Sequence, residues 1–160
     1  GSRGFGKFYL FGALVVILVV AGGGYYFWRW FYPTPYDVGM KLVENYEKQL
    51  RADTYGGKTP EETLKLFVEA LKKEDVELAS KYFALDDNGS REKWVKRLTE
   101  LKEKKLLAPM AGDIETKAKP GNSAYEGDAK FKLYGSDGVV NVLIDMELNE
   151  QSGVWKIESL

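Results

Sequence analysis

The 160-residue chain contains neither cysteine nor histidine. The missing cysteine removes disulfides, thiolate nucleophiles and sulfur-ligated metals, and with them lipid attachment through a cysteine beside the apolar segment. The missing histidine removes the side chain whose ordinary pKa lies nearest neutrality, which is also the commonest general base and zinc ligand. Catalysis would fall to carboxylates, lysine or tyrosine, so a non-catalytic protein without cofactor or metal is the expectation. A basic excess is lacking as well, since 23 Lys and Arg face 24 Asp and Glu. Arg3, Lys7 and Arg29 flank one apolar run, while every acidic residue lies beyond Tyr36. What remains is mildly acidic, which argues against a nucleic-acid partner.

Charge is absent altogether from Phe8 to Phe27, FYLFGALVVILVVAGGGYYF. At about 1.5 Å per residue such a helix covers roughly 30 Å, the depth of a bilayer's hydrocarbon core. A cleaved signal peptide is the competing reading, with Arg3 and Lys7 as its charged start and Ala21 to Gly24 as the small-residue cleavage site. The continuation favours a permanent signal anchor. Tyr25, Tyr26, Trp28 and Trp30 head a dense aromatic cluster suited to the water–lipid boundary, and Phe8, Tyr9 and Phe11 mark the opposite boundary. Arg3 and Lys7 stand against Arg29 and the more distant Lys41 and Lys48 across the segment, and the expected orientation has the N-terminus in the cytoplasm and the remainder outside it. The lipid bilayer is thus the first expected partner.

The expected organisation is a tail over 1–7, a transmembrane helix over 8–32, a juxtamembrane helix and linker over 33–58, and one domain over 59–160. Pro33 and Pro35 end the anchor. Tyr36 to Arg51 reads as a helix, with Val38, Leu42 and Tyr46 recurring every four residues beside Val43 and Leu50. Thr59-Pro60-Glu61-Glu62 is a helix start in which Thr59 caps, Pro60 takes the first position and Glu62 closes a capping box. That helix presents Leu64, Phe67, Ala70 and Leu71 on one face. A short second helix follows from Asp75 with Val76, Ala79, Tyr82 and Phe83 inward. After the turn Asp86-Asp87-Asn88-Gly89, Ser90 caps a third helix to about Lys105 that buries Trp94, Leu98 and Leu101.

From Ile114 the period becomes two, and four strands joined by hairpin turns are expected. Ile114, Thr116 and Ala118 alternate first. Tyr125 to Leu133, Val140 to Leu148 and a last strand with Trp155 and Ile157 inward follow. Helices first and a single-faced antiparallel meander afterwards make an α+β chain. The segment TPEETLKLFVEALKKEDVELASKYFALDD resembles the opening helix pair of the nuclear transport factor 2-like (cystatin-like) superfamily, especially small membrane-anchored bacterial domains of unknown function. GVWKIESL resembles their last strand. The resemblance implies a curved four-stranded sheet wrapped around helices as a cone with an apolar pocket. The order of short N-terminus, anchor and such a domain is also that of the inner-membrane assembly factor of type IV secretion and conjugation machines, by analogy only.

Relatives that are enzymes carry carboxylates inside the cone. Here Glu126, Asp128, Asp145 and Glu147 fall on the face opposite the apolar residues, where water keeps a carboxylate's pKa ordinary. Trp94, Phe131, Met146 and Trp155 are the candidate pocket residues, with core packing as their plainer role. The cations of the third helix are interleaved with Glu92, Glu100 and Glu103 and read as a solvated face. Asp86 to Gly89 lacks the distal glutamate of a calcium loop, since Arg97 stands there, and reads as a turn. The expected function is a single-pass, membrane-anchored extracytoplasmic domain for interaction with another envelope protein or with itself. The alternative is a sensor or carrier of a small apolar ligand held in the cone.

Overall fold

The computed structural model describes residues 5–32, 34–86, 89–123 and 125–160, with side chains from residue 12 onward. Arg3, Pro33 and the Asp87-Asn88 part of the expected turn lie outside the described residues, as do the side chains of Lys7, Phe8, Tyr9 and Phe11. The chain forms two compact units, Gly1–Asn45 and Tyr46–Leu160.

The first unit holds α1 (Phe5–Phe31) and the start of α2 (Pro35–Ala52). Its 27 residues make α1 about 40 Å long. It is long and apolar enough to cross a membrane, and none of its most apolar window is buried. Tyr25, Tyr26, Trp28 and Trp30, at 64 to 84% exposure, encircle its end. Successive positions on a helix are turned by about 100°, so these four rings form a belt instead of a stripe. Thr34 starts α2 through a capping box. Asp37 accepts from the Thr34 backbone N–H (3.0 Å) and hydroxyl (2.7 Å), and Thr34 Oγ1 accepts from the Asp37 N–H (3.3 Å). Those hydrogen bonds, aided by the Arg29 and Lys41 charges, hold the Asp37 carboxyl below its ordinary pKa.

In the second unit, α3 (Pro60–Lys72), α4 (Val76–Ser80), α5 (Glu92–Glu103) and α6 (Leu107–Lys117) precede an antiparallel sheet of β1 (Ala118–Pro120), β2 (Asp128–Tyr134), β3 (Val140–Asn149) and β4 (Val154–Ser159) in the order 1-2-3-4. The architecture is α+β. Thr59 caps α3 as its sequence predicts, accepting from the Glu62 N–H, but Glu62 reaches back to the Lys58 N–H instead of that of Thr59. Asp75 caps α4 by accepting from the Leu78 N–H. Arg91, not Ser90, is the residue preceding α5, and Ser90 instead accepts from the Glu92 N–H.

The core joins Leu64, Phe67 and Leu71 of α3 to Phe83, Trp94, Leu98, Ile144, Met146 and Ile157. Phe83 lies between an edge-on Phe67 (5.3 Å) and a stacked Trp94 (3.9 Å). Such contacts add to the area they bury.

Two differences from the sequence expectation stand out. The alternation at Ile114, Thr116 and Ala118 is not a strand. Leu107, Ala111 and Ile114 recur at helical spacing and are all buried by α6, which leaves only three residues for β1. Pro109 is tolerated because the first turn's N–H groups have no helical acceptor. Second, β2 begins at Asp128 and Tyr125 is exposed, while β3 buries Ile144 and Met146 but leaves Val140 and Val142 at its exposed start.

Neither β1 nor β4 is itself open along its outer edge for long, although the start of β3, Val140–Leu143, runs beyond β4. β1 is short and carries Lys119 and Pro120. Along β4, Phe83 makes a parallel bridge to Ile157, the Ala84 N–H donates to the Ile157 carbonyl (2.8 Å) and the Trp155 N–H donates to the Gly57 carbonyl (3.0 Å).

Candidate functional site

Alternation along β4 sends Trp155 and Ile157 into the core and Val154, Lys156 and Glu158 to the other face. That second face is not solvent at the β4 end. The end of α2 and the loop after it cover it, so Val154 is buried and Lys156 is 2% exposed. Asn149, opposite Val154, donates from Nδ2 to the Leu50 carbonyl (2.9 Å) and holds the last turn of α2 in place. Gly56, at φ +151°, lies so close that an added Cβ would stand 2.5 Å from the Trp155 carbonyl oxygen.

A buried ammonium has to find oxygens for its protons. Lys156 Nζ donates to Asp53 Oδ1 (2.6 Å), to the Lys81 carbonyl (2.8 Å) and to the Tyr55 carbonyl. The other Asp53 oxygen accepts from the Arg91 guanidinium, whose Nε donates to the Phe83 carbonyl (2.6 Å). One carboxylate thus pairs two cations and fastens the loop after α2 to β4 and to the start of α5. Burial lowers the Lys156 pKa from 10.5 to about 8, the Asp53 bond and charge oppose the change, and the Arg91 charge adds to it. Near neutrality Lys156 is protonated with all three N–H groups engaged, which suits a clamp and leaves no lone pair for nucleophilic attack.

Beside this clamp lie two adjoining polar clefts. One, of about 200 Å³, is walled by Tyr46, Leu50, Leu85, Glu147 and Asn149 with Asp53 and Lys156 beneath. The other, of about 330 Å³, shares Tyr46, Leu85 and Glu147 and reaches Asp86, Lys93 and Glu158. Partial burial raises the Glu147 carboxyl above its ordinary pKa, and the like charges of Glu158 and Asp128 add to the rise. Asp145 moves the other way, lowered chiefly by its hydrogen bond from Lys130 (2.5 Å). Two strand carboxylates expected to keep ordinary values are therefore shifted, because the second face carries neighbours as well as water. No group of three or more carboxylates that could hold a metal occurs among the described residues.

Of the four candidate pocket residues, Trp94, Phe131 and Met146 are buried in the core and Trp155 packs against it half-buried. Phe131 also lines a separate, open cleft of about 280 Å³ with Leu64, Val68 and Ile114. Trp94 borders the second polar cleft. No protein family, no curated protein and no solved structure matches this chain. The clamp residues Asp53, Arg91 and Lys156 escaped the sequence reading. Asp53 and Lys156 lie 103 positions apart, and nothing near either residue signals the other.

Proposed function

We propose that this is a single-pass membrane protein whose C-terminal domain stands outside the cytoplasm as a non-catalytic interaction module, with the helix-lined cone of the nuclear transport factor 2-like superfamily as its architecture. The observation that carries the reading is α1, whose stretch from Phe8 to Phe27 is uncharged and apolar, exposed along Leu14–Val20 and closed by the belt of Tyr25, Tyr26, Trp28 and Trp30. Non-catalytic use is supported by the clamp, in which the deeply buried lysine spends every donor on holding a loop. An α+β order of helices followed by a meander, with the segment after α4 bridged to β4, is compatible with the cone. The partner is another envelope protein or a second copy, in the manner of an assembly factor.

The test uses the full chain in intact cells carrying Ser136→Cys in the exposed β2–β3 turn. Resistance to alkaline extraction together with labelling by a membrane-impermeant thiol reagent is the expected outcome. Release into the soluble fraction would remove the anchor, and a protected Cys label on a retained protein would reverse the topology.

A further inference from the structure

Only Tyr32, Pro33 and Thr34 separate the end of α1 from the start of α2. Three linking residues reach at most about 10–14 Å. A headgroup layer is itself roughly 5–8 Å deep on each side of the hydrocarbon core. If α1 spans the bilayer, the first turns of α2 are tethered within or just above that layer whatever the rest of the chain does.

The residues placed there suit it. In the first three turns of α2, Tyr36, Val38, Met40, Leu42 and Val43 are 45 to 74% exposed, and no residue of the helix is fully buried. At about 100° per residue these five occupy one arc of roughly 200°. Asp37, Lys41, Glu44 and Asn45 fill the opposite arc. From Tyr46 onward the helix belongs to the domain unit, and Tyr46 and Leu50 become half-buried there. The apolar side chains without cover are thus those nearest the aromatic end of α1. The polar arc of these turns holds one cation against two anions, so it has no cationic excess with which to select anionic lipid.

We infer that residues 36–43 of α2 form an interfacial helix whose apolar arc enters the boundary between headgroups and acyl chains of the membrane that α1 spans. The inference rests on the membrane reading proposed above. Its chemistry is apolar insertion, and it makes the juxtamembrane segment a second lipid contact instead of a solvated stalk.

The chain has no cysteine of its own, so single labels report without background. Met40→Cys, Leu42→Cys, Lys41→Cys and Glu44→Cys variants of the full chain, each carrying an environment-sensitive fluorophore, would be placed in phosphatidylcholine vesicles with Val16→Cys as the anchor control. Iodide should quench labels at 40 and 42 about threefold less than those at 41 and 44, and neither added anionic lipid nor about tenfold dilution of protein in lipid should change the ratio. Equal quenching at all four positions with Val16→Cys protected would overturn the inference and leave the anchor standing. Quenching at Val16→Cys would instead remove the anchor reading beneath it. Protection at 40 and 42 that vanishes on dilution would assign the arc to a second copy and equally overturn the lipid contact.

Discussion

Asp53→Asn should be the most damaging single-atom change in the domain. Asp53 is 7% exposed and is the anion shared by Lys156 and Arg91, while Lys156 is itself 2% exposed. Removing one member of a buried ionic group leaves the other charge uncompensated, which costs about 3–5 kcal/mol. Lys156 can limit the cost by giving up its proton. From its folded pKa of about 8, shedding that proton at pH 7 costs about 1.4 kcal/mol, which caps the share of the loss that falls on the lysine; Arg91, which keeps its charge, carries the rest.

With a urea m value of about 1.5 kcal/mol/M, the transition of the full chain in mild detergent should move down by about 2–3 M. Adding Lys156→Met to Asp53→Asn should recover part of the loss, because the double variant no longer buries that lone ammonium. The pH dependence has a definite sign. Since the folded Lys156 pKa of about 8 lies below the ordinary 10.5, the cost of charging this lysine is fully present below about pH 8 and is relieved as pH rises toward 10.5. Losing Asp53 depresses the folded value further, so the lysine's part of the Asp53→Asn deficit should be present at neutrality and below and fade as pH rises through about 8. A midpoint shift below about 0.5 M, or a deficit that grows with pH, would mean the loop after α2 is not held against β4.

Gly57→Ala should destabilise the domain by about 1–3 kcal/mol in the same urea assay. The new methyl would collide with Glu62 Cβ and stand 2.8 Å from the Thr63 backbone nitrogen, and the shift it forces would break the Gly57–Trp155 hydrogen bond. Glu147→Gln should act in the opposite direction. Its raised carboxyl makes folding less favourable as pH climbs from the ordinary 4.5 through the shifted value, so the variant should have the higher urea midpoint at pH 7 and an unchanged one near pH 4.

The parts of the fold that sequence could specify were those written in local chemistry. Thr59-Pro60 announces α3 because capping and a preset φ act within four residues, and Phe67, Leu71 and Ile144 announce the core through their period. At α6 two periods competed. Ile114, Thr116 and Ala118 alternate by chance, while the deciding Leu107, Ala111 and Ile114 spacing is interrupted by Pro109 and Gly112, residues that lower a helical expectation. The clamp was out of reach for another reason. Alternation correctly assigns Lys156 to the face opposite Ile157, yet whether that face is wet depends on a loop of small and polar residues about 100 positions away. A pattern reports the side on which a residue stands and carries no information about what later lies over it.

The rims of the sheet carry a further consequence. On one side the terminal strand is too short, and too encumbered by a lysine and a proline, to receive another backbone; along β4 the Tyr82 and Gly57 carbonyls and the Ala84 amide already occupy the docking positions. Copies held at high density therefore find no row of unpaired amides along β1 or β4 among the described residues, and backbone sharing is left to the exposed start of β3, Val140–Leu143, which runs past the end of β4.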